Sequence, residues 1–319
     1  MHFFRLVRTG NLFILALSQL ILSAIVIRPL LSTFAMDTGV SAISVFLLVS
    51  TSVLQAAGGY AINDYFDRES DRINKKRTPS YQPQTQKRIH LYLTLASLLT
   101  GSILAFRVES IALAVVFFIV PLSLWYYSSW LKRLPFVGNL LVALLTALSI
   151  VLTGLVPLLE LRTLYGATIF ASSIPLEVMK ITLFFSLFAF SLTLVRELIK
   201  DIEDMPGDRH SGYRTLPIAV GLTTTRSIVI ALLVFTIPVI FIFTQHLLPF
   251  DNLTAGIYMT VLVVVPLVVT LLRILKASEQ AHYHKASVLI KASMIGGLGY
   301  SLLYNWQLAQ YYPINSCLF

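Results

Sequence analysis

The chain has 319 residues, 56% hydrophobic and only 12% charged, with 24 Lys and Arg against 15 Asp and Glu. A soluble globular domain carries about a quarter charged residues, so that class is excluded. Apolar residues in unbroken runs, rather than in alternation, disfavour a transmembrane β-barrel, and the single cysteine, Cys317, leaves no intramolecular disulfide framework or cysteine metal cluster.

In chain order, nine apolar stretches are predicted to span a membrane: 12–31, 39–62, 91–106, 111–130, 136–159, 176–195, 227–243, 253–272 and 288–306. Each is near the length that a bilayer requires. Each must be helical, because lipid offers no partner to backbone N–H and C=O groups. The first is read as a retained helix rather than a signal peptide, since no small-x-small cleavage site follows it, and too little precedes it for an organelle transit peptide. The uncharged segment 163–176, which contains Pro175, is too short to span comfortably and is read as a re-entrant or surface segment on the outer side. The scattered histidines show no zinc spacing, and the one close pair, His282 and His284, reads as part of a polar loop.

With the N-terminus in the cytoplasm, 20 of the 24 basic residues fall on the cytoplasmic side, leaving Arg28, Arg107, Arg162 and Lys180 on the other. That is a positive-inside pattern. It accounts for the net charge of +9 without nucleic acid, since the excess faces anionic headgroups. The expectation is an all-α, multi-pass protein of a bacterial or archaeal cytoplasmic membrane. Its residues 1–319 form one transmembrane domain, with cytoplasmic catalytic loops at about 63–90 and 196–226.

The acids are concentrated. Asp64, Asp67, Glu69 and Asp71 form one cluster and Glu197, Asp201, Glu203, Asp204 and Asp208 another, so nine of 15 sit at two predicted cytoplasmic helix ends. Both clusters read D-x-x-D-x-x-x-D, through Asp64, Asp67 and Asp71 and through Asp201, Asp204 and Asp208. Steps of three and then four place all three side chains on one helical face. Like charges there repel, and a bound cation offsets the repulsion. Pro206 and Gly207 are expected to end the second helix, leaving Asp208 to reach in from a loop. Oxygen-only donors, with Asn63 alongside, suit a hard cation such as Mg²⁺. Arg68, Arg72, Lys75, Lys76 and Arg77 follow the first cluster, Arg196, Lys200, Arg209 and Arg214 surround the second, and Lys132 and Arg133 lie in a third loop. Carboxylates, a metal and cationic clamps together stabilise a departing diphosphate.

These residues resemble the UbiA superfamily of intramembrane prenyltransferases. Its N-D-x-x-D-x-x-x-D signature is matched by Asn63, Asp64, Asp67 and Asp71, and its second aspartate-rich motif by Asp201, Asp204 and Asp208. The likeness extends to Arg8 and Asn11, to Tyr127-Ser128 with Leu131-Lys132-Arg133, to Gly138-Asn139, and to R-T-L-P-I-A-V-G from Arg214. The wording is most similar to the digeranylgeranylglyceryl phosphate synthase branch, with departures at Thr78-Pro79, where the branch usually has Arg-Pro, and at Pro206. The resemblance implies a nine-helix bundle around a central cavity, with Mg²⁺ held by the two motifs against a polyprenyl diphosphate. Arg72, Lys75, Arg77, Lys132, Lys200 and Arg209 are then the candidates for pairing with the diphosphate oxygens. Tyr60, Tyr65, Trp125, Tyr126, Tyr127 and Trp130 are candidates for a cation-stabilising wall, each set against an interfacial or packing role.

The implied activity is Mg²⁺-dependent transfer of a polyprenyl group to a lipophilic acceptor. The acceptor is either geranylgeranylglyceryl phosphate or an aromatic quinone precursor such as 4-hydroxybenzoate, homogentisate or dihydroxynaphthoate. A cation or metabolite transporter is the alternative of another class, but the acid clusters lie at one face and acids in the middle of the apolar runs are missing. A CDP-alcohol phosphotransferase would need a D-G-x-x-A-R pattern that this chain lacks.

Overall fold

The computed structural model of the chain describes residues 2–36, 39–74, 81–247, 252–277 and 279–312. Among these residues there is no strand, and nine helices are long and apolar enough to cross a membrane. They are α1 (Thr9–Ser32), α2 (Ala42–Phe66), α3 (Pro83–Arg107), α4 (Ile111–Ser129), α5 (Val137–Tyr165), α6 (Ile174–His210), α7 (Leu222–Ile242), α8 (Leu253–Leu275) and α9 (Gln280–Tyr311). Number and order agree with the apolar stretches, but several helices run well past them. The run at 176–195 becomes α6 and that at 288–306 becomes α9. Hydropathy marks the part that lipid surrounds, whereas the backbone ladder continues into the polar zone until something stops it.

Two helices widen to a π-turn, at Leu22–Ile27 in α1 and Thr260–Val264 in α8, each just ahead of a proline, Pro29 and Pro266. Proline lacks an N–H and crowds the carbonyl four residues back, and the wider turn relieves that conflict. Segment 163–176 is not a span. The helix α5 ends at Tyr165, Gly166 turns the chain at φ +78°, a 3₁₀ turn covers Ala167–Ala171, and α6 begins at Ile174. Pro175 sits in the first turn of α6, where no backbone N–H is needed. His282 and His284 are helical rather than in a loop: His282 closes a capping box with Glu279 at the start of α9.

The chain forms two compact units, Met1–Lys132 with Val151–Met179, and Arg133–Ile150 with Lys180–Phe319. In the first, α2 packs against α1, α3 and α4. Gly101 lets α3 approach α4, since a Cβ there would come within 2.9 Å of the Phe117 ring. Polar side chains inside this unit find internal partners: Gln55 donates to the Phe117 carbonyl (2.9 Å), Gln19 to Ser52 (3.0 Å) and Thr51 to Thr100 (2.9 Å). The N-terminus of α2 is closed by buried Glu160, which accepts from the Ser41 N–H (3.1 Å) and the Ser44 hydroxyl (2.6 Å) and pairs with Arg107 (3.4 Å). A carboxylate at that end also complements the helix dipole. The opposite end of α2 carries the first acid motif.

In the second unit α8 and α9 pack together, and the Tyr258 hydroxyl donates to the Gly296 carbonyl at 3.0 Å. Gly297 must be small, because a Cβ there would lie 2.2 Å from the Phe188 ring. The second acid motif lies on α6.

Candidate active site

The helix α2 ends at Phe66, and Asp67 takes φ −90°, ψ 5° before a short helix resumes over Arg68–Asn74. The backbone bonds nevertheless continue through the break, Asp67 N–H to the Asn63 carbonyl (2.9 Å) and Asp71 N–H to the Asp67 carbonyl (2.8 Å). The motif is therefore bent at its middle aspartate rather than carried on one straight helix. The bend is held from the side, as the Arg68 guanidinium donates to the Tyr81 carbonyl (3.1 Å) and to the amide oxygen of buried Gln86 (2.8 Å).

Asp64 and Asp67 at this helix end each face a counter-group. The Asn63 amide, itself buried, donates to Asp67 Oδ2 at 2.7 Å. Lys132 forms an ion pair with Asp67 Oδ1 and donates to Asn63 Oδ1 at 3.3 Å. Arg8 lies 3.9 Å from Asp64 Oδ1 and stacks 4.9 Å from the Tyr60 ring centroid, whose hydroxyl accepts from Asn11 at 3.3 Å. Arg8 adopts the left-handed region at φ 52°, a strained conformation for a side-chain-bearing residue. Such strain persists only when surrounding contacts over-determine it. Burial works against the Arg8 charge, but Tyr60, Asp64, Asp67 and Asp71 outweigh it and hold its pKa above the ordinary arginine value. It is a permanent cation.

The second motif departs from expectation. The helix α6 runs through Pro206 and Gly207 to His210, so Asp208 is helical and buried rather than in a loop. The actual stop is Gly212 at φ +71°, with Gly212 N–H bonded to the Arg209 carbonyl (3.2 Å) and Tyr213 N–H to the Asp208 carbonyl (2.9 Å). This paired closure ends a helix through a left-handed residue, and proline alone did not end it. Asp201, Asp204 and Asp208 therefore share one face of one helix, as their spacing predicts. Asn139 near the start of α5 donates to Asp201 Oδ2 at 2.9 Å, Arg196 pairs with Glu197 at 2.7 Å, and His284 meets Glu203 at 2.9 Å.

Of the expected diphosphate-binding cations, Lys132 meets the first motif, Lys200 is half-buried beside Asp201, and Arg72 and Arg209 are exposed. Lys75 and Arg77 lie outside the described residues. Among the aromatics, Tyr60 is engaged by Arg8 and Tyr65 by Lys87 at 4.7 Å, whereas Trp125, Tyr126 and Trp130 are exposed, as an interfacial belt requires. Among the described residues, no three His, Cys, Asp or Glu side chains form a metal-holding group. In the first motif Asp67 is paired with the Lys132 ammonium, and the Arg8 guanidinium lies beside Asp64. The donor chemistry still fits a hard divalent cation: carboxylate oxygens with an amide oxygen beside them, already paired with positive charge. Sequence reasoning missed the orienting role of Asn139, although Gly138-Asn139 stood out in the pattern. It could not have foreseen the backbone strain at Arg8.

The profile of the UbiA prenyltransferase family matches residues 21–295. Digeranylgeranylglyceryl phosphate synthase of Thermococcus kodakarensis is 33% identical over 260 residues, covering 80% of this chain and 82% of that protein. The synthase of the same name from Korarchaeum cryptofilum is 34% identical over 261 residues, covering 79% and 81%. Among solved structures, one described as digeranylgeranylglyceryl phosphate synthase in membranes superimposes with a TM-score of 0.57 at 21% identity, covering 95% of this chain and 98% of that one. A UbiA homologue from Archaeoglobus fulgidus, bound to DMAPP and Mg²⁺, gives a TM-score of 0.54 at 14% identity, covering 97% and 99%. These two structural likenesses bear on the fold. The sequence matches decide for prenyl transfer over transport, and with them the chain belongs to the UbiA prenyltransferase family.

Proposed function

We propose that this prenyltransferase moves a geranylgeranyl group from its allylic diphosphate to the free hydroxyl of geranylgeranylglyceryl phosphate, forming an ether lipid at the cytoplasmic face of a cell membrane. The carrying observation is the charge-matched helix end, with Asn63, Asp64 and Asp67 set against Arg8 and Lys132, in a chain about a third identical to synthases of that product. The N-terminus faces the cytoplasm in this reading, and the whole chain works as one catalytic domain.

In the reaction the allylic C1–O bond breaks with its electron pair leaving on the diphosphate, the acceptor hydroxyl oxygen bonds to C1, and its proton is released. Asp64, Asp67, Asp71, Asp201, Asp204 and Asp208 would hold Mg²⁺, which when bound neutralises charge on the leaving diphosphate. Asn63 and Asn139 orient Asp67 and Asp201. Lys132, Lys200, Arg72 and Arg209, with Lys75 and Arg77, present positive charge to the diphosphate oxygens. The bilayer keeps water from the allylic cation, and each CH₂ of the isoprenoid tails that stays out of water contributes about 0.8 kcal/mol.

The test is a grid of prenyl diphosphates against acceptors, using protein purified in detergent. Geranylgeranylglyceryl phosphate should be alkylated, turnover should stop in excess EDTA and return with Mg²⁺, and Asp64→Ala or Asp201→Ala should abolish product while the protein stays folded. Prenylation of 4-hydroxybenzoate, homogentisate or dihydroxynaphthoate instead would overturn the acceptor, and full turnover in chelator would overturn the metal.

A further inference from the structure

Between α6 and α7 the chain turns through residues 211–215, and Arg133 lies against that turn. The Arg214 N–H donates to the Arg133 carbonyl at 3.0 Å, and the Arg133 guanidinium stacks 5.1 Å from the Tyr213 ring centroid. Arg133 and this turn carry three buried polar atoms without a hydrogen-bond partner: Arg133 Nε, Ser211 Oγ and Thr215 Oγ1. Thr215 is 4% exposed and heads the short helix Leu216–Ala219 without capping it. Native proteins leave few buried polar groups unpaired, and an unpaired group asks for a reason.

The chemistry of the three atoms defines what is missing. The Nε of arginine can only donate, and both hydroxyls can donate. An acceptor with several oxygens would satisfy all three, and the charge of Arg133, with exposed Arg214 on the turn and exposed Arg209 at the end of α6, favours an anion. A phosphate group meets that description, with charge-assisted bonds to arginine and room for two hydroxyls.

We propose that Arg133, Ser211 and Thr215 form a phosphate pocket filled by the phosphomonoester of the acceptor. This deepens the proposed function and rests on its acceptor. The reaction handles two phosphate-bearing substrates. The donor's diphosphate must leave, which calls for the acid motifs and their cations. The acceptor's phosphate takes no part in bond breaking and needs only a fixed, metal-free grip that positions its hydroxyl.

The experiment measures KM for each substrate in Arg133→Met, Ser211→Ala and Thr215→Val, the last preserving side-chain volume so that misfolding does not stand in for lost binding. Charge-assisted bonds exceed neutral ones, so the KM for geranylgeranylglyceryl phosphate should rise roughly tenfold or more in Arg133→Met and about threefold in each hydroxyl variant, with the donor KM unchanged. Removing the phosphate from the acceptor and removing Arg133 delete the same contact, so the two losses should not add. A rise confined to the donor KM would reassign the pocket to the diphosphate and overturn the proposal, as would an unchanged acceptor KM in all three variants. If wild-type protein makes no product from geranylgeranylglyceryl phosphate, the acceptor reading fails first. The pocket is then judged by thermal unfolding with glycerol phosphate. A rise in Tm in wild type that is lost in Thr215→Val supports it, and no rise overturns it.

Discussion

Lys132 engages both Asp67 and Asn63, with side chains of the ion pair 9% and 16% exposed. Deleting its ammonium leaves a largely desolvated carboxylate with the Asn63 amide beside it. Losing one partner of such a group costs about 1–3 kcal/mol. Lys132→Met should therefore lower Tm by several degrees in EDTA, read by thermal unfolding in detergent. Mg²⁺ should then recover more stability in the variant than it adds to wild type, because the ion no longer competes with an ammonium for Asp67, and ligand that binds only the folded state stabilises it. An equal Mg²⁺ effect in both proteins would place the ion elsewhere than Asp67. The acids were legible because three-and-four spacing is a property of the chain itself. The pairing of Lys132 was not, since it depends on where a loop 65 residues away comes to rest.

At the scale of elements, the last turns of α6 show what local signals can and cannot decide. Pro206 read as a terminator, yet the helix passes through it and stops at Gly212. Proline removes one ladder bond and crowds one carbonyl; that is an energetic cost, and it does not stop the helix here. Gly212 supplies a left-handed residue, which other side chains resist. Two substitutions should thus move stability in opposite directions. Pro206→Ala restores a helix N–H and should raise Tm. Gly212→Ala forces a Cβ into the left-handed region and should destabilise by about 1 kcal/mol. Because Asp208 takes its place from this turn, Gly212→Ala should also reduce kcat, whereas Pro206→Ala should leave the motif face intact. If Pro206→Ala unfolds the helix end, measured as loss of helical circular dichroism, the proline is shaping the turn rather than being tolerated by it. Helix existence was legible throughout, since lipid permits little else, while helix ends were set by backbone caps such as Gly212 and the Asp67 break, which hydropathy does not register.

At the scale of the molecule, the nine candidate spans among the described residues and a basic asymmetry make a claim about orientation that geometry without a bilayer leaves to charge. With the N-terminus in the cytoplasm, 20 of the 24 basic residues would fall on the cytoplasmic side, and moving such a set across the membrane is opposed by both the insertion machinery and the anionic inner surface. The links at Ser110, between α3 and α4, and at Gly212, after α6, belong to opposite sides in that arrangement. With Cys317 replaced by serine, a cysteine at position 110 should react with a membrane-impermeant thiol reagent on intact cells. A cysteine at position 210, at the exposed end of α6, should react only after permeabilisation. The consequence reaches the chemistry, because the diphosphate donor carries several negative charges and is supplied from the cytoplasm in this reading. In this reading its site must open on that face. The reverse labelling pattern would put the aspartates outside, away from the supply of donor, and the proposed reaction could not proceed.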